Sequence, residues 1–316
     1  MRYLEFRKLI KFGNSSYIIS IPGKWLKKNK LNKGDVINLY EDKDNRLILS
    51  AGAIQAKEEK EFLIETEKKD LDRIKAELYK AYTDGFDVIK LKGNNLNNNS
   101  EEIRSILNNF VAVEIIEQTS DKLIAKNLLN TEDVNINDVI RRIDIIIRSM
   151  ITDSSKCIDT KDCSPILKRD LDVNRLCFML ERILKNALND PNISKKIDMQ
   201  GVDLLHLWYI VTNLEAIGDE VKRIARFLTI VKFNSSQKEE FLELYFEIEE
   251  SYLDVINSFY KKDKELAFEV SLRKENLHEK CSKFLERNST SQIGGMVEKM
   301  KALVSWIKTI ALFSYD

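Results

Sequence analysis

From Asn137 to its last residue, the sequence repeats apolar side chains at the three- and four-residue spacing of amphipathic helices. Short polar, Pro-containing or Gly-containing breaks divide this pattern into successive segments. Helices joined by short connections become antiparallel neighbours. The pattern therefore predicts two tandem three-helix bundles, over 137–230 and 236–316, and their equal helix counts suggest an internal repeat. The predicted helices span 137–160, 165–189, 200–229, 236–261, 263–287 and 292–314.

The third predicted helix contains the stretch Asn213–Phe227, NLEAIGDEVKRIARF, with Glu215 and Asp219 four residues apart. Residues at this spacing lie on one helix face, where two like charges repel. Gly218 is a poor helix residue, roughly 1 kcal/mol worse than alanine, and its presence suggests that another group approaches the backbone closely. A hard cation would bind the carboxylates but would need further ligands. Solvation or a basic side chain could offset the pair instead. The basic candidates are Arg175, Arg182, Lys222 and Arg223.

Composition supports a mostly helical chain of two or more domains, because only 3 prolines and 10 glycines interrupt 316 residues. The formal net charge is zero but unevenly distributed. Residues 1–50 hold eleven Lys and Arg against five Asp and Glu, a net of +6, so the remaining residues sum to −6. This basic N-terminal region, which we call the head, predicts a polyanionic partner, although an ordinary solvated surface could have the same composition.

The cysteine pattern favours reduced thiols over a zinc site or disulfides. The four cysteines form no CxxC pair, and the sequence has only two histidines. It also has no apolar run long enough to span a membrane and no signal peptide. We therefore expect a cytoplasmic protein that does not insert into membranes. The cysteines are Cys157, Cys163, Cys177 and Cys281.

The first fifty residues predict a small β domain rather than helices. Four β-rich segments are separated by Gly13-Asn14, Pro22-Gly23, Lys33-Gly34 and Asp44-Asn45, and the basic segment 24–30 predicts a short helix. So short a domain cannot bury an adequate core alone, so we expect it to dimerise by interleaving strands. The predicted strands are 6–12, 16–21, 35–42 and 46–51.

Residues 56–133 predict a small α+β domain in the order β-α-β-α-β-β. This region has no Gly-rich phosphate loop and no pairing of a nucleophile with a base. A structural or sensory role is therefore expected. The predicted strands are 62–66, 87–93, 111–118 and 122–129, and the predicted helices are 70–85 and 101–110.

The N-terminal pattern RKLIKFGNSSYIISIPGKWLKKNKLNKGDVINLY, followed by NRLIL, resembles the SpoVT/AbrB-like swapped-hairpin DNA-binding domain. This resemblance implies a homodimerising DNA-binding domain over 1–52. In that family, basic residues of the first strand and the short helix contact DNA. Asn14 and Ser15 depart from the pattern, because the family often has a basic residue just after the first-turn glycine. The implied DNA-binding residues are Arg7, Lys8, Lys11, Lys24, Lys27 and Lys28.

The segments KRDLDVNRLCFMLERIL and NLEAIGDEVKRIA resemble the PhoU family, whose three-helix repeats carry E(D)xxxD carboxylate pairs on two helices. The resemblance implies that facing pairs bind iron, zinc or another divalent ion. In this sequence the implied ligands are Asp170 and Asn174 on one helix and Glu215 and Asp219 on the other. Asn174 stands where an aspartate is commoner.

The second predicted bundle lacks these pairs, so we expect a degenerate repeat and at most one metal site in the chain. The corresponding positions hold Lys274, His278, Ser305 and Thr309.

Together the two resemblances indicate the archaeal type of phosphate-uptake regulator. They imply a cytoplasmic, homodimeric transcription regulator with DNA bound by its head and a metal or a phosphate-transporter subunit sensed by its bundles. The alternative is a PhoU-type adaptor that docks on a phosphate ABC transporter, with the head serving only dimerisation. We expect no enzymatic activity: two carboxylate pairs resemble a metal hydrolase, but no histidine ligand or general base accompanies them.

Overall fold

The computed structural model describes residues 5–41, 45–51, 59–94, 96–131, 134–199 and 201–314. The chain divides into two compact units, 1–58 and 59–316. The predicted boundary between residues 52 and 56 lies outside the described residues.

The first unit contains two antiparallel hairpins and one short helix, as the sequence predicts. Gly13, with φ of 70°, occupies the turn of the first hairpin, in the left-handed region that glycine adopts without strain. The strands are shorter than predicted within a single chain. The elements are β1 Ile10–Phe12, β2 Ser16–Ile18, α1 Gly23–Lys28, β3 Ile37–Glu41 and β4 Leu47–Ala51.

No described side chain of this first unit is buried. Phe6 is 86% exposed, and Leu9 and Val36 are each 68% exposed. Burial of apolar surface is the main favourable contribution to folding. Within a single copy, the described residues of this unit therefore form no hydrophobic core.

The second unit begins with a mixed four-stranded sheet in the order β5-β6-β8-β7. Strands β5 and β6 are parallel, and the other pairs are antiparallel. The predicted β-α-β-α-β-β order is confirmed, and α2 and α3 cover one sheet face around a core that includes Ile64, Leu78 and Leu91. The elements are β5 Glu61–Glu65, α2 Leu71–Thr83, β6 Val88–Lys92, α3 Ser100–Asn108, β7 Val113–Gln118 and β8 Lys122–Asn127.

The remainder is helical, as predicted, with two local differences. The first predicted helix ends early, where the hydroxyls of Ser154 and Ser155 bond to carbonyls three residues back, and a short helix follows. Another short helix begins at Pro191, a favoured first helical residue. The helices are α4 Ile136–Ser154, α5 Cys157–Thr160, α6 Ser164–Asn189, α7 Pro191–Lys196, α8 Val202–Ile230, α9 Ser235–Lys261, α10 Lys264–Arg287 and α11 Ser291–Ser314.

The long helices form two three-helix groups, as predicted. Helices α4, α6 and α8 pack together, as do α9, α10 and α11, and α8 lies against α11. One continuous apolar core runs through both groups. Tyr252 of α9 also donates a hydrogen bond of 3.0 Å to the buried carboxylate of Asp144 on α4. The two groups therefore share a core, while the exact domain boundaries remain predictions.

Among the described residues, none of the helices combines the length and the apolar character that crossing a bilayer requires.

Candidate functional site: a carboxylate cluster and a basic head

Helices α6 and α8 approach each other closely at Gly218. A Cβ atom added there would lie 3.3 Å from Cγ1 of Val173 on α6. The absence of a side chain at Gly218 lets the two helices meet, as the sequence predicts. The carboxylates on the two helices are brought to the same interface.

Lys222 bridges the two helices through their carboxylates. Its Nζ donates to Oδ2 of Asp170 at 2.7 Å, and it also donates to Oδ1 of Asp219. The second oxygen of Asp219 accepts from Nη2 of Arg223 at 2.9 Å. The Asp170 side chain is only 4% exposed and that of Lys222 only 16%, so this is a largely buried cluster. Of the basic partners proposed from sequence, Lys222 and Arg223 contact it.

Burial and neighbouring charges shift the pKa values in this cluster. Burial raises the pKa of Glu215 to about 7, and the charges of Asp219, Glu181 and Asp170 add to the effect. Burial also raises the pKa of Asp170, against the opposing effect of Lys222. For Lys222, burial disfavours the charged form, but its hydrogen bonds to both aspartates outweigh that effect and raise its pKa. The ammonium of Lys222 is therefore charged at neutral pH.

The four predicted ligands do not together form a vacant site of divalent-cation type. Lys222 holds one oxygen of Asp170 and one of Asp219. Oδ1 of Asp170 and Oδ1 of Asn174 are buried and have no hydrogen-bond partner within the described part of the chain. Within that same part, no three His, Cys, Asp or Glu side chains are grouped as metal binding requires. The residues fit a metal only if the ammonium leaves, and metal binding remains a prediction.

The polar face of α6 continues to Glu181, which sequence reasoning did not select. Glu181 is buried and accepts a hydrogen bond from the hydroxyl of Tyr79 on α2. Burial raises the pKa of Glu181. Glu181 lies seven residues after Asn174, and this spacing, two helical turns, is the signal that could have identified it.

The neighbouring Arg182 fastens α6 to the end of α2. Its Nη1 donates to the carbonyl oxygen of Tyr82 at 2.7 Å and to that of Phe86 at 2.9 Å. A Cβ atom at Gly85, between these residues, would collide with Asn186 of α6 at 2.1 Å. The α+β layer is therefore docked on the same helix that carries Asp170 and Asn174.

The corresponding positions of the second helical group carry no carboxylate cluster. Nε2 of His278 on α10 lies 3.0 Å from the carbonyl oxygen of Lys301 and 3.3 Å from the hydroxyl of Ser305 on α11. Because a carbonyl only accepts, Nε2 carries the proton. His278 and Ser305 therefore form a hydrogen-bonded pair of side chains at this helix interface.

The six predicted DNA-binding residues are all exposed. Lys24, Lys27 and Lys28 lie at i, i+3 and i+4 on α1 and therefore share one helix face. Lys11 lies in β1, opposite Tyr17 of β2. Arg7 forms an ion pair with Glu5. The remaining residue, Lys8, precedes β1.

Comparison with protein families identifies both regions. Residues 10–58 match the antidote-toxin recognition domain of the MazE bacterial antitoxin, and residues 140–228 match the PhoU domain. The chain joins a MazE/AbrB-like head to a PhoU-like domain. A search of curated proteins and a search of solved structures each found no significant match.

The two matches correspond to the basic head and the carboxylate cluster. The MazE/AbrB-like match includes Lys11 and α1, and the PhoU-like match includes all four predicted ligands and Lys222. Helices α9–α11 lie beyond it. Such a head indicates a DNA-binding or antitoxin type of protein, and a PhoU domain indicates phosphate regulation.

Proposed function

We propose that this protein is a homodimeric, DNA-binding transcription regulator of phosphate uptake, of the archaeal type indicated by its sequence. It acts in the cytoplasm, where its DNA is, and regulates without catalysing a reaction. The AbrB-like head contacts DNA, and the helical region responds to the phosphate-transport machinery. The observation that carries the proposal is a basic head without a buried side chain among its described residues, joined to a PhoU-like domain.

The exposed apolar side chains of the head support its proposed dimerisation. Ile10 and Phe12 of β1 are 62% and 65% exposed, and Leu39 and Leu47 of the second hairpin are 59% and 62% exposed. So small a unit, with no buried side chain in its described part, is marginal alone. Interleaving of the hairpins of two copies would bury these residues and pair the short strands.

DNA binding is supported by the charge and exposure of the head. Two copies would present twelve of the predicted basic side chains, because each chain carries six. Contacts of this kind go mainly to phosphates, so the affinity should depend steeply on salt and only weakly on sequence.

The helical region would bind a protein partner, for which a nucleotide-binding subunit of a phosphate ABC transporter is the candidate. The PhoU-like match supports this assignment. Sensing of a metal ion is the competing assignment, and the position of Lys222 between Asp170 and Asp219 favours the protein partner.

The deciding experiment is a DNA-binding titration across a salt series, monitored by fluorescence anisotropy of a labelled duplex. Full-length wild type is compared with Arg7→Glu/Lys27→Glu/Lys28→Glu. The matched control reverses three exposed lysines outside the head, in Lys75→Glu/Lys168→Glu/Lys232→Glu. Light scattering on each sample measures the oligomeric state.

We expect wild type and control to bind with an affinity that falls as salt rises, by about 0.9 logarithmic units per tenfold salt for each neutralised phosphate. The head variant should lose binding while remaining dimeric. If the wild type does not bind DNA at low salt while it remains dimeric, the proposal of a DNA-binding regulator is wrong. The alternative, an adaptor that docks on the transporter, would then remain. A monomeric wild type would contradict both assignments of the head, DNA binding as a dimer and dimerisation alone.

A further inference from the structure

We infer that the ammonium group of Lys222 is the cation that occupies the α6–α8 carboxylate cluster. The first three-helix group therefore binds no divalent metal there. This inference concerns the helical unit and is independent of DNA binding by the head. It also predicts that removal of Lys222 converts the cluster into a divalent-cation site.

The position of Nζ carries the inference. It lies 2.7 Å from Oδ2 of Asp170 on α6 and also contacts Oδ1 of Asp219 on α8. A divalent ion joining these helices would use the same aspartates, at roughly 2.0–2.6 Å from their oxygens. Two cations cannot share that space, because they would repel each other at short range in a poorly hydrated interface.

The local charge balance leads to the same conclusion. Lys222 contacts Asp170 and Asp219, and Arg223 contacts Asp219 and Glu220, so these two positive charges offset most of the negative charge of the three carboxylates. Asn174 is uncharged, so α6 offers one carboxylate where the pattern of the family has two. The cluster therefore has less negative charge with which to offset the dehydration of a divalent ion than the four carboxylates of the family pattern would supply.

Lys222 is also held firmly enough to compete with a metal. It extends from α8 itself, three residues after Asp219, so its ammonium loses no entropy of association. Its side chain is 16% exposed. A buried charge left without its partner is strongly destabilising. Displacement of Lys222 by a metal would therefore be opposed by the loss of its contacts with Asp170 and Asp219.

Removal of the ammonium should change the behaviour of the cluster. Lys222→Met keeps an unbranched apolar side chain but leaves the carboxylates of Asp170 and Asp219 facing each other. The partnerless oxygens of Asp170 and Asn174 would supply further ligands. A divalent ion would then relieve the repulsion that the ammonium relieves in the wild type.

The test measures Mn²⁺ uptake and thermal stability of the full-length chain after dialysis against EDTA. Electron paramagnetic resonance separates free from bound Mn²⁺, and far-ultraviolet circular dichroism follows the melting of the helices. Wild type is compared with Lys222→Met and with Lys222→Met/Asp170→Asn. The control variant is Arg223→Met, which removes the cation that contacts both Asp219 and Glu220 and whose side chain is 42% exposed.

We expect wild type and Arg223→Met to take up no Mn²⁺ at this site and to melt at the same temperature with MnCl₂ as with EDTA. Lys222→Met should melt lower in EDTA, bind about one Mn²⁺ per chain and recover its melting temperature. The added Asp170→Asn should abolish that recovery. A Lys222→Met chain that folds only when Mn²⁺ is present throughout purification would support the inference equally.

Two results would overturn it. The first is uptake of about one Mn²⁺ per wild-type chain that Asp170→Asn abolishes, and this measurement requires no Lys222 variant to fold. The second is a Lys222→Met protein that retains its helical spectrum yet gains neither Mn²⁺ binding nor a Mn²⁺-dependent rise in melting temperature.

Discussion

Replacement of Arg182 by methionine should release the α+β layer from the helical bundle. The Arg182 side chain is only 3% exposed and lies 3.5 Å from Asp87. It also donates to the carbonyl of Tyr82 near the end of α2 and to that of Phe86 in the loop that follows. Its guanidinium also lies 5.4 Å from the centroid of the Tyr82 ring. Methionine keeps most of the apolar stem but supplies no donor, so the loss is mainly electrostatic.

The structure sets the size of the expected loss. A hydrogen bond to a charged group contributes about 1.5–3 kcal/mol, and two are removed. The Tyr82 carbonyl keeps a bond of 3.2 Å from the amide of Gly85, whereas the Phe86 carbonyl keeps no second donor among the described residues. Asp87 keeps the amide of Lys60 at 3.0 Å. Because these partners partly replace Arg182, we expect the attachment of the α+β layer to lose about 3 kcal/mol of free energy. This is the lower end of the range for breaking a buried charged contact.

Lys185→Met is the matched control, because Lys185 is on the same helix and contacts the same end of α2. Its Nζ lies 3.0 Å from the hydroxyl of Thr83 and 3.1 Å from Oδ1 of Asp84. At 31% exposure this side chain is partly solvated, and exposed ion pairs contribute about 0–1 kcal/mol. The control should therefore cost less than a third of the Arg182 effect.

Native-state hydrogen exchange followed by mass spectrometry is the suitable assay, because it resolves local opening of separate segments. In Arg182→Met, peptides from β5, β6 and the end of α2 should exchange faster by about two orders of magnitude. Peptides from the core of α9–α11 should change little. If Arg182→Met and Lys185→Met accelerate exchange equally, the reasoning that burial makes Arg182 the main attachment is wrong.

Two further predictions concern the second helical group. In Gly295→Ala the new Cβ would lie 2.6 Å from Cζ of Phe227, so overpacking of about 1–3 kcal/mol should exceed the helix-propensity gain of roughly 1 kcal/mol and lower the melting temperature in calorimetry. Adding Phe227→Leu should reverse most of that decrease. If Gly295→Ala lowers the melting temperature equally with Phe227 or Leu at that position, the two side chains are not in conflict and the prediction is wrong. Burial is the main influence that lowers the pKa of His278 from its unfolded value near 6.5. The stability that accompanies the neutral imidazole is therefore fully present above pH 6.5 and is lost as the pH falls through the lowered pKa. Proton NMR should therefore show His278 titrating below pH 6.5, with signals assigned through His206→Gln, and a midpoint above 6.5 would refute the assignment.

The sequence by itself determined the types and the order of the strands and of the long helices. The helical periodicity after Asn137 and the turn signals before Ala51 predicted helices and strands, because those patterns depend on which residues neighbour each other along the chain. The two family regions were identified by the resemblance of particular segments, and both have matching family models. Gly218 was also interpretable from sequence, since a glycine inside a long apolar helix has few explanations apart from a close approach. The charge of the head and the spacing of Glu215 and Asp219 required no coordinates.

Only the tertiary structure decided which side chains meet. The sequence offered Arg175, Arg182, Lys222 and Arg223 as equal partners for the carboxylates, because spacing along one helix cannot specify the facing helix. In the folded chain Lys222 reaches across to Asp170, whereas Arg182 turns to the α+β layer. The attachment of that layer to α6 was equally invisible, since it joins residues about a hundred positions apart through buried contacts that leave no local pattern.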